Sequence, residues 1–151
     1  MGDFVGAFAI VEREGRFLFV CNERQIDGRA ARVWDLPGGR VEAGELLHEA
    51  LHRELTEETG LQVVGAPRFA FVQEGERRSG GRREYAWRSF FFATEAAGEP
   101  AADHEVLAVR WMTRDEIHAE CVAPYHDSFR QWLREGGRHF VSVWRDAGDE
   151  A

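Results

Sequence analysis

The stretch LPGGRVEAGELLHEALHRELTEETGL, Leu36 to Leu61, reads as a glycine-rich turn running into an amphipathic helix. At 100° per residue from about Glu45 to Thr59, Leu46, Leu47, Ala50, Leu51 and Leu55 fall in one apolar sector that must face a core. Glu54, Glu57 and Glu58 fall in that same sector, although Glu45, Glu49, His52, Thr56 and Thr59 already supply a polar face opposite. The inward carboxylates crowd the last turn before Gly60, where the helix dipole disfavours each by roughly 0.3–1 kcal/mol. They also repel one another. Such a cluster of hard oxygen donors suits a hard divalent cation, Mg²⁺ or Mn²⁺. The competing reading is a solvated acidic helix end, since glutamate is a strong helix former.

The turn ahead of the helix bears on that choice. Pro37-Gly38-Gly39 lets backbone approach a ligand closely, so a Gly38 or Gly39 carbonyl is available beside the carboxylates. From Gly39 the spacing is five residues to Glu45, then seven to Arg53-Glu54-Leu55-Thr56-Glu57-Glu58-Thr59-Gly60-Leu61. This resembles the Nudix box, G-x5-E-x7-R-E-U-x-E-E-x-G-U with U a bulky aliphatic residue, at every specified position, and it covers 23 of 151 residues.

The resemblance implies an α/β fold of the Nudix type, an α/β/α sandwich with a mixed β-sheet between helices. It implies a hydrolase of nucleoside diphosphate-linked compounds, with Mg²⁺ or Mn²⁺ as cofactor. Glu54 and Glu58 then correspond to the main metal ligands and Glu57 to an additional one, with Gly38 lending a carbonyl. Glu45 and Arg53 correspond to an ion pair that fixes the helix. Arg24, fifteen residues before Gly39, matches a basic residue that contacts substrate phosphate in related enzymes, against the alternative of a solvated loop arginine. Glu105, six residues before Trp111, resembles a carboxylate outside the box that helps bind metal or activate water, with Asp103 as its rival. Glu54 and Glu105 are the candidate general bases.

At 151 residues and 44% hydrophobic content the chain is long enough for its own core, and it reads as one domain over residues 1–151 with a frayed tail at 145–151. It contains no apolar run of the 18 or so residues needed to cross a membrane and no basic start of a signal peptide, which predicts a cytoplasmic protein with no membrane partner. Cys21 and Cys121 lack metal-ligand spacing and read as reduced, partly buried thiols. A net charge of −8 argues against nucleic-acid binding, because a phosphate backbone is repelled. A small nucleotide that carries its own cation is compatible with that charge. The sequence leaves monomer and homodimer open.

Around the box, Asp3 to Val11 and Arg16 to Val20 read as a hairpin or neighbouring strands, the second apolar on both faces. Asn22 to Arg32 reads as a polar loop, Val33 to Leu36 as a short strand, and Leu61 to Val64 and Pro67 to Gln73 as extended runs. Glu74 to Arg83 reads as a flexible, arginine-rich tip, either a solvated hairpin end or a mobile arm over the substrate. Tyr85 to Thr94, YAWRSFFFAT, is a strong strand whose aromatics read as core rather than as a base-stacking platform. Val106 to Met112 is a further strand, and Thr113 to Glu116 has capping-box spacing for a helix through His118. A last helix starts at Pro124 and stops at Gly136-Gly137, with His139 to Trp144 as a final strand.

Substrate is the least determined property. The positions fifteen to eighteen residues after the box hold Glu76, Arg77, Arg78 and Ser79, without the proline or tyrosine that marks ADP-ribose or dinucleoside polyphosphate hydrolases. The upstream segment does not spell the arginine-rich pattern of coenzyme A hydrolases. The reading leans to nucleoside triphosphates or diphosphates, with nucleotide-sugar or ADP-ribose cleavage next. A non-catalytic nucleotide sensor is the rival of another class, disfavoured by an intact box in a single-domain chain. An isoprenoid diphosphate isomerase is disfavoured because the extra residues it needs have no place here.

Overall fold

The computed structural model describes residues 2–149. Strands β1 (Phe4–Ile10), β2 (Glu12–Arg13), β3 (Arg16–Ile26), β4 (Arg29–Asp35) and β5 (Gly38–Arg40) precede helix α1 (Leu47–Thr59). Strands β6 (Gln62–Ser79), β7 (Arg82–Ala97) and β8 (Ala108–Met112) lead to α2 (Arg114–Glu120). A 3₁₀ turn at Pro124–His126, α3 (Asp127–Glu135) and β9 (His139–Arg145) complete the order. One sheet is mixed and runs β5-β1-β7-β6-β9, with β1 parallel to β7 and β9 parallel to β6. In the other, β3 pairs antiparallel with β2 and β4 along one edge and with β8 along the opposite edge.

Because successive strand residues point to opposite faces, neighbours in sequence enter different cores. Phe91 joins Phe17, Phe19, Phe71 and Phe129 on the side covered by α2 and α3, whereas Phe92 joins Leu18, Ala50, Leu51 and Leu55 on the side covered by α1. Helices on both faces of the two sheets, one mixed and one antiparallel, make this the α/β/α arrangement that the box implies. Strand β3 is apolar on both faces, as its sequence predicts, with Phe17, Leu18, Phe19 and Val20 fully buried.

Several local expectations are corrected. Asn22 to Arg32 is not a loop: β3 and β4 pair from Val20↔Asp35 to Ile26↔Arg29, with the oppositely charged Glu23 and Arg32 facing each other. Asp27 and Gly28, at φ 51° and 75°, form the two-residue turn whose positive φ values match strand twist. Strand β1 does not pair with β3 but lies between β5 and β7; only the short β2 makes the expected hairpin. Glu74 to Arg83 is a hairpin end rather than a mobile arm, and its ladder runs up to a turn at Gly80-Gly81, held by Glu76 between Arg78 and Arg83. The tail is not frayed through residue 149. Arg145 belongs to β9, Asp146 takes hydrogen bonds from Arg77 and Ser79, and Ala147 donates to Asp27. The remaining tail residues, Glu150 and Ala151, lie outside the described residues. In the box helix, Leu46 precedes the first turn and is 72% exposed, while Thr59 is buried and donates to the Leu55 carbonyl.

Candidate active site

Space around the two glycines shows why the turn must be bare. Gly38 stands beside Phe8 on β1 at φ 147°, and a Cβ there would lie 2.3 Å from the Ala7 carbonyl oxygen. A Cβ on Gly39 would meet the Glu54 carboxylate at 2.7–3.0 Å. The acidic side of α1 therefore rests directly on the backbone of β5. Glu58 accepts the Gly38 N–H at 2.7 Å. Burial, reinforced by the negative Glu54 and Asp35, pushes the Glu58 carboxyl up to about 8 against the opposing Gly38 hydrogen bond. Burial also raises Glu54, with Arg53 pulling the other way.

Arg53 holds more than one partner. Its Nε and Nη2 bind the two Glu45 oxygens at 2.8 and 2.9 Å, Nη1 reaches Glu54 at 2.9 Å and Glu57 at 3.3 Å, and Nη2 also donates to the Arg40 carbonyl. The planar guanidinium matches such bidentate geometry. Hydrogen bonds from Arg53 and the Glu42 amide push Glu45 down to about 2.

Gly38, Glu54, Glu57 and Glu58 line one cavity of about 940 Å³, together with Arg24 and Glu105. Arg24 lies on β3, half-exposed, its guanidinium held by Asp35 at 3.2–3.3 Å. Glu105 is exposed on a loop tied to the end of α1, where Asp103 N–H donates to the Glu58 carbonyl and Ala101 N–H to that of Thr59. The rival Asp103 uses its carboxylate on the His104 N–H. Among the described residues no three His, Cys, Asp or Glu side chains already stand gathered as a metal cluster, since Glu58 engages the Gly38 amide and Glu54 engages Arg53. The donor chemistry nonetheless fits a hard divalent cation: carboxylates whose burial disfavours their charge face bare glycine backbone where a Cβ would intrude.

The rest of the cavity was not evident from the sequence. Tyr85 and Trp87 line it while Phe90 and Phe92 face away, so the aromatic run of β7 divides between wall and core. The Trp87 indole lies across Gly75, where a Cβ would come within 2.1 Å, and its Nε1–H donates to Gln73. Gln73 is in turn held by the Tyr125 carbonyl and Ser128 Oγ. Asp35, 2% exposed, accepts from Asn22, Arg24 and the Tyr125 hydroxyl, and lies 3.2 Å from His126 Nε2. Burial alone would raise Asp35, but the neighbouring His126, Arg24 and Asn22 outweigh it and hold the carboxyl below its ordinary value. A histidine ahead of α3 carries no local sequence signal for this place, because the approach of His126 to Asp35 spans elements remote in the chain.

Fold and carboxylate floor together define a class. Residues 3–133 match the NUDIX domain model, and the chain belongs to that family. It is 33% identical over 119 residues to the Escherichia coli CTP pyrophosphohydrolase, covering 77% of this chain and 80% of that one. It is 30% identical over 105 residues to a Bacillus subtilis protein provisionally named 8-oxo-dGTP diphosphatase. That alignment takes in 66% of each chain, just under two-thirds of the relative's length. The structure of the MutT protein from Bacillus halodurans superposes with a TM-score of 0.74 at 25% identity, over 94% of this chain and 89% of that one.

Proposed function

We propose that this chain is a divalent-metal-dependent hydrolase of nucleoside triphosphates or diphosphates, cleaving a phosphoanhydride by attack of water on phosphorus. The observation that carries it is a single cavity joining a carboxylate floor (Glu54, Glu57, Glu58) to an aromatic wall (Tyr85, Trp87), which suits one ligand with both a phosphate chain and a flat base. Relatives named for CTP and 8-oxo-dGTP support the same class. Small nucleotides as substrate agree with the net charge of −8 and with the absence, among described helices, of one long and apolar enough to cross a membrane. A cytoplasmic location and action as a single domain belong to the same reading.

Glu54, Glu57, Glu58 and the Gly38 carbonyl would hold Mg²⁺ or Mn²⁺, which when bound supplies charge neutralisation for the phosphates and the leaving group. Arg24, held by Asp35, donates to a phosphate oxygen. Arg53 and Glu45 keep the carboxylate helix in register with β5. Glu54 or Glu105 takes the proton of the attacking water, since both line the cavity. The test is a panel of nucleoside triphosphates, diphosphates, nucleotide sugars and ADP-ribose with Mg²⁺ and then Mn²⁺, ranked by kcat/KM. A free nucleotide should lead. A nucleotide sugar or ADP-ribose ahead of every free nucleotide overturns the substrate assignment.

A further inference from the structure

Beneath the aromatic wall lies one polar group that the phosphate chemistry does not use. His126 lines the cavity, is only 1% exposed, and neither ring nitrogen has a hydrogen-bond partner among the described residues. Its surroundings are aromatic: Phe8 at 5.8 Å, Tyr125 at 5.0 Å and Phe91 at 6.5 Å between centroids, all edge-on. Nε2 is 3.2 Å from Asp35 Oδ1, close but not aligned as a hydrogen bond. A buried polar ring with no partner is costly to keep, and native proteins rarely leave one unless something else completes it. Other polar groups on this floor are already engaged: Gln73 has partners on both ends of its amide, and both Asp35 oxygens accept protein donors.

We infer that His126 is a specificity-determining contact for the base of the nucleotide, its ring nitrogen accepting a hydrogen bond from an N–H on the base edge. The inference rests on the nucleotide-hydrolase reading above. Asp35 Oδ1 lies 3.2 Å from Nε2, so a ring proton on that nitrogen faces a carboxylate oxygen and Nδ1 is the nitrogen left to accept. An acceptor in an aromatic pocket selects heteroaromatic rings that carry an exocyclic amine or lactam N–H. It gives nothing to a base whose edge lacks that donor, because the base and His126 are then both left unpaired. Tyr125 and Asn22 position the device by holding Asp35, at 2.9 Å each.

The experiment compares nucleotide pairs that differ by one amine, namely dCTP with its 2-pyrimidinone analogue, dATP with its unsubstituted purine analogue, and dGTP with dITP. Ribose 5-triphosphate serves as the base-free control. In the wild type the amine should raise kcat/KM roughly 10-fold or more in at least one pair. In His126→Phe that gap should close, with the amine-bearing member of the pair losing far more than ribose 5-triphosphate. A gap that persists in His126→Phe, or an equal loss on ribose 5-triphosphate, overturns the inference. Loss of hydrolysis on every compound in the wild type would instead count against the functional reading. Because His126 is buried, the variant is paired with a measurement on the intact wild type: imidazole ¹⁵N shifts of His126 with α,β-imido nucleotides and with the matching base-free triphosphate. Movement with the former alone is expected, and no movement with any base overturns the assignment even if the variant fails to fold.

Discussion

Replacing Glu58 by Gln should make the metal-free protein more stable at alkaline pH while removing its activity. Burial moves the Glu58 carboxyl from the ordinary 4.5 up to about 8. Since the folded value is raised, the folded state favours the protonated acid: this stabilisation is complete below about pH 4.5 and is lost as pH rises through about 8. Each pH unit within the window is about 1.4 kcal/mol, so the whole interval approaches roughly 5 kcal/mol. That is an upper figure, because the side chain lines an open cavity and can rehydrate there. The Gln side chain stays neutral and its carbonyl can still accept the Gly38 N–H. Urea unfolding in EDTA at pH 6 and pH 9 measures the difference. The wild type should lose about 1–3 kcal/mol more than Glu58→Gln over that range, since only the two pH units from pH 6 to about 8 fall inside the window, and Mg²⁺ should return most of the loss to the wild type only. Equal pH dependence in both proteins would refute the argument that the carboxylate is held against its charge.

Activity on any substrate should vanish in excess EDTA and return with Mg²⁺ or Mn²⁺, and Glu54→Gln should cost on the order of 10²-fold or more in kcat with an unchanged melt; near wild-type turnover would sink the ligand assignment. Glu105→Gln tests the second base candidate: loss of the alkaline-rising limb of the kcat profile assigns the proton to Glu105, and its retention assigns it to Glu54. Arg53→Ala leaves Glu45, Glu54 and Glu57 without their shared cation and should lower stability by about 1–3 kcal/mol, read by thermal melting; an unchanged melt would remove Arg53 as the anchor of the helix. Gly75→Ala puts a methyl where the Trp87 indole lies, and should raise KM for nucleotides more than it lowers kcat, with a shifted tryptophan emission; unaltered KM would mean that Trp87 is core and not wall.

The local features of this chain were readable because they repeat at short range. A 3.6-residue period marked the apolar side of α1, and three acids on that side stood out against it. Flanking glycines announced a backbone that a ligand or a carboxylate approaches closely, and Gly39 under Glu54 is that approach. Even some errors had a local remedy, since Asp27-Gly28 is a strong hairpin signal by its own turn chemistry. The alternation along β7 was also present in YAWRSFFFAT, but periodicity says only that Trp87 and Phe92 face opposite sides, not which side is hollow. Tertiary structure decided that. It brought Tyr125 to Asp35 across 90 positions and set His126 beside them, its Nδ1 unpartnered among the described residues. These contacts join different elements, so no residue's neighbours in the chain encode them. The short-range pattern determined what chemistry the helix carries, and the packing of strands from both halves of the chain determined the cavity in which that chemistry meets a base.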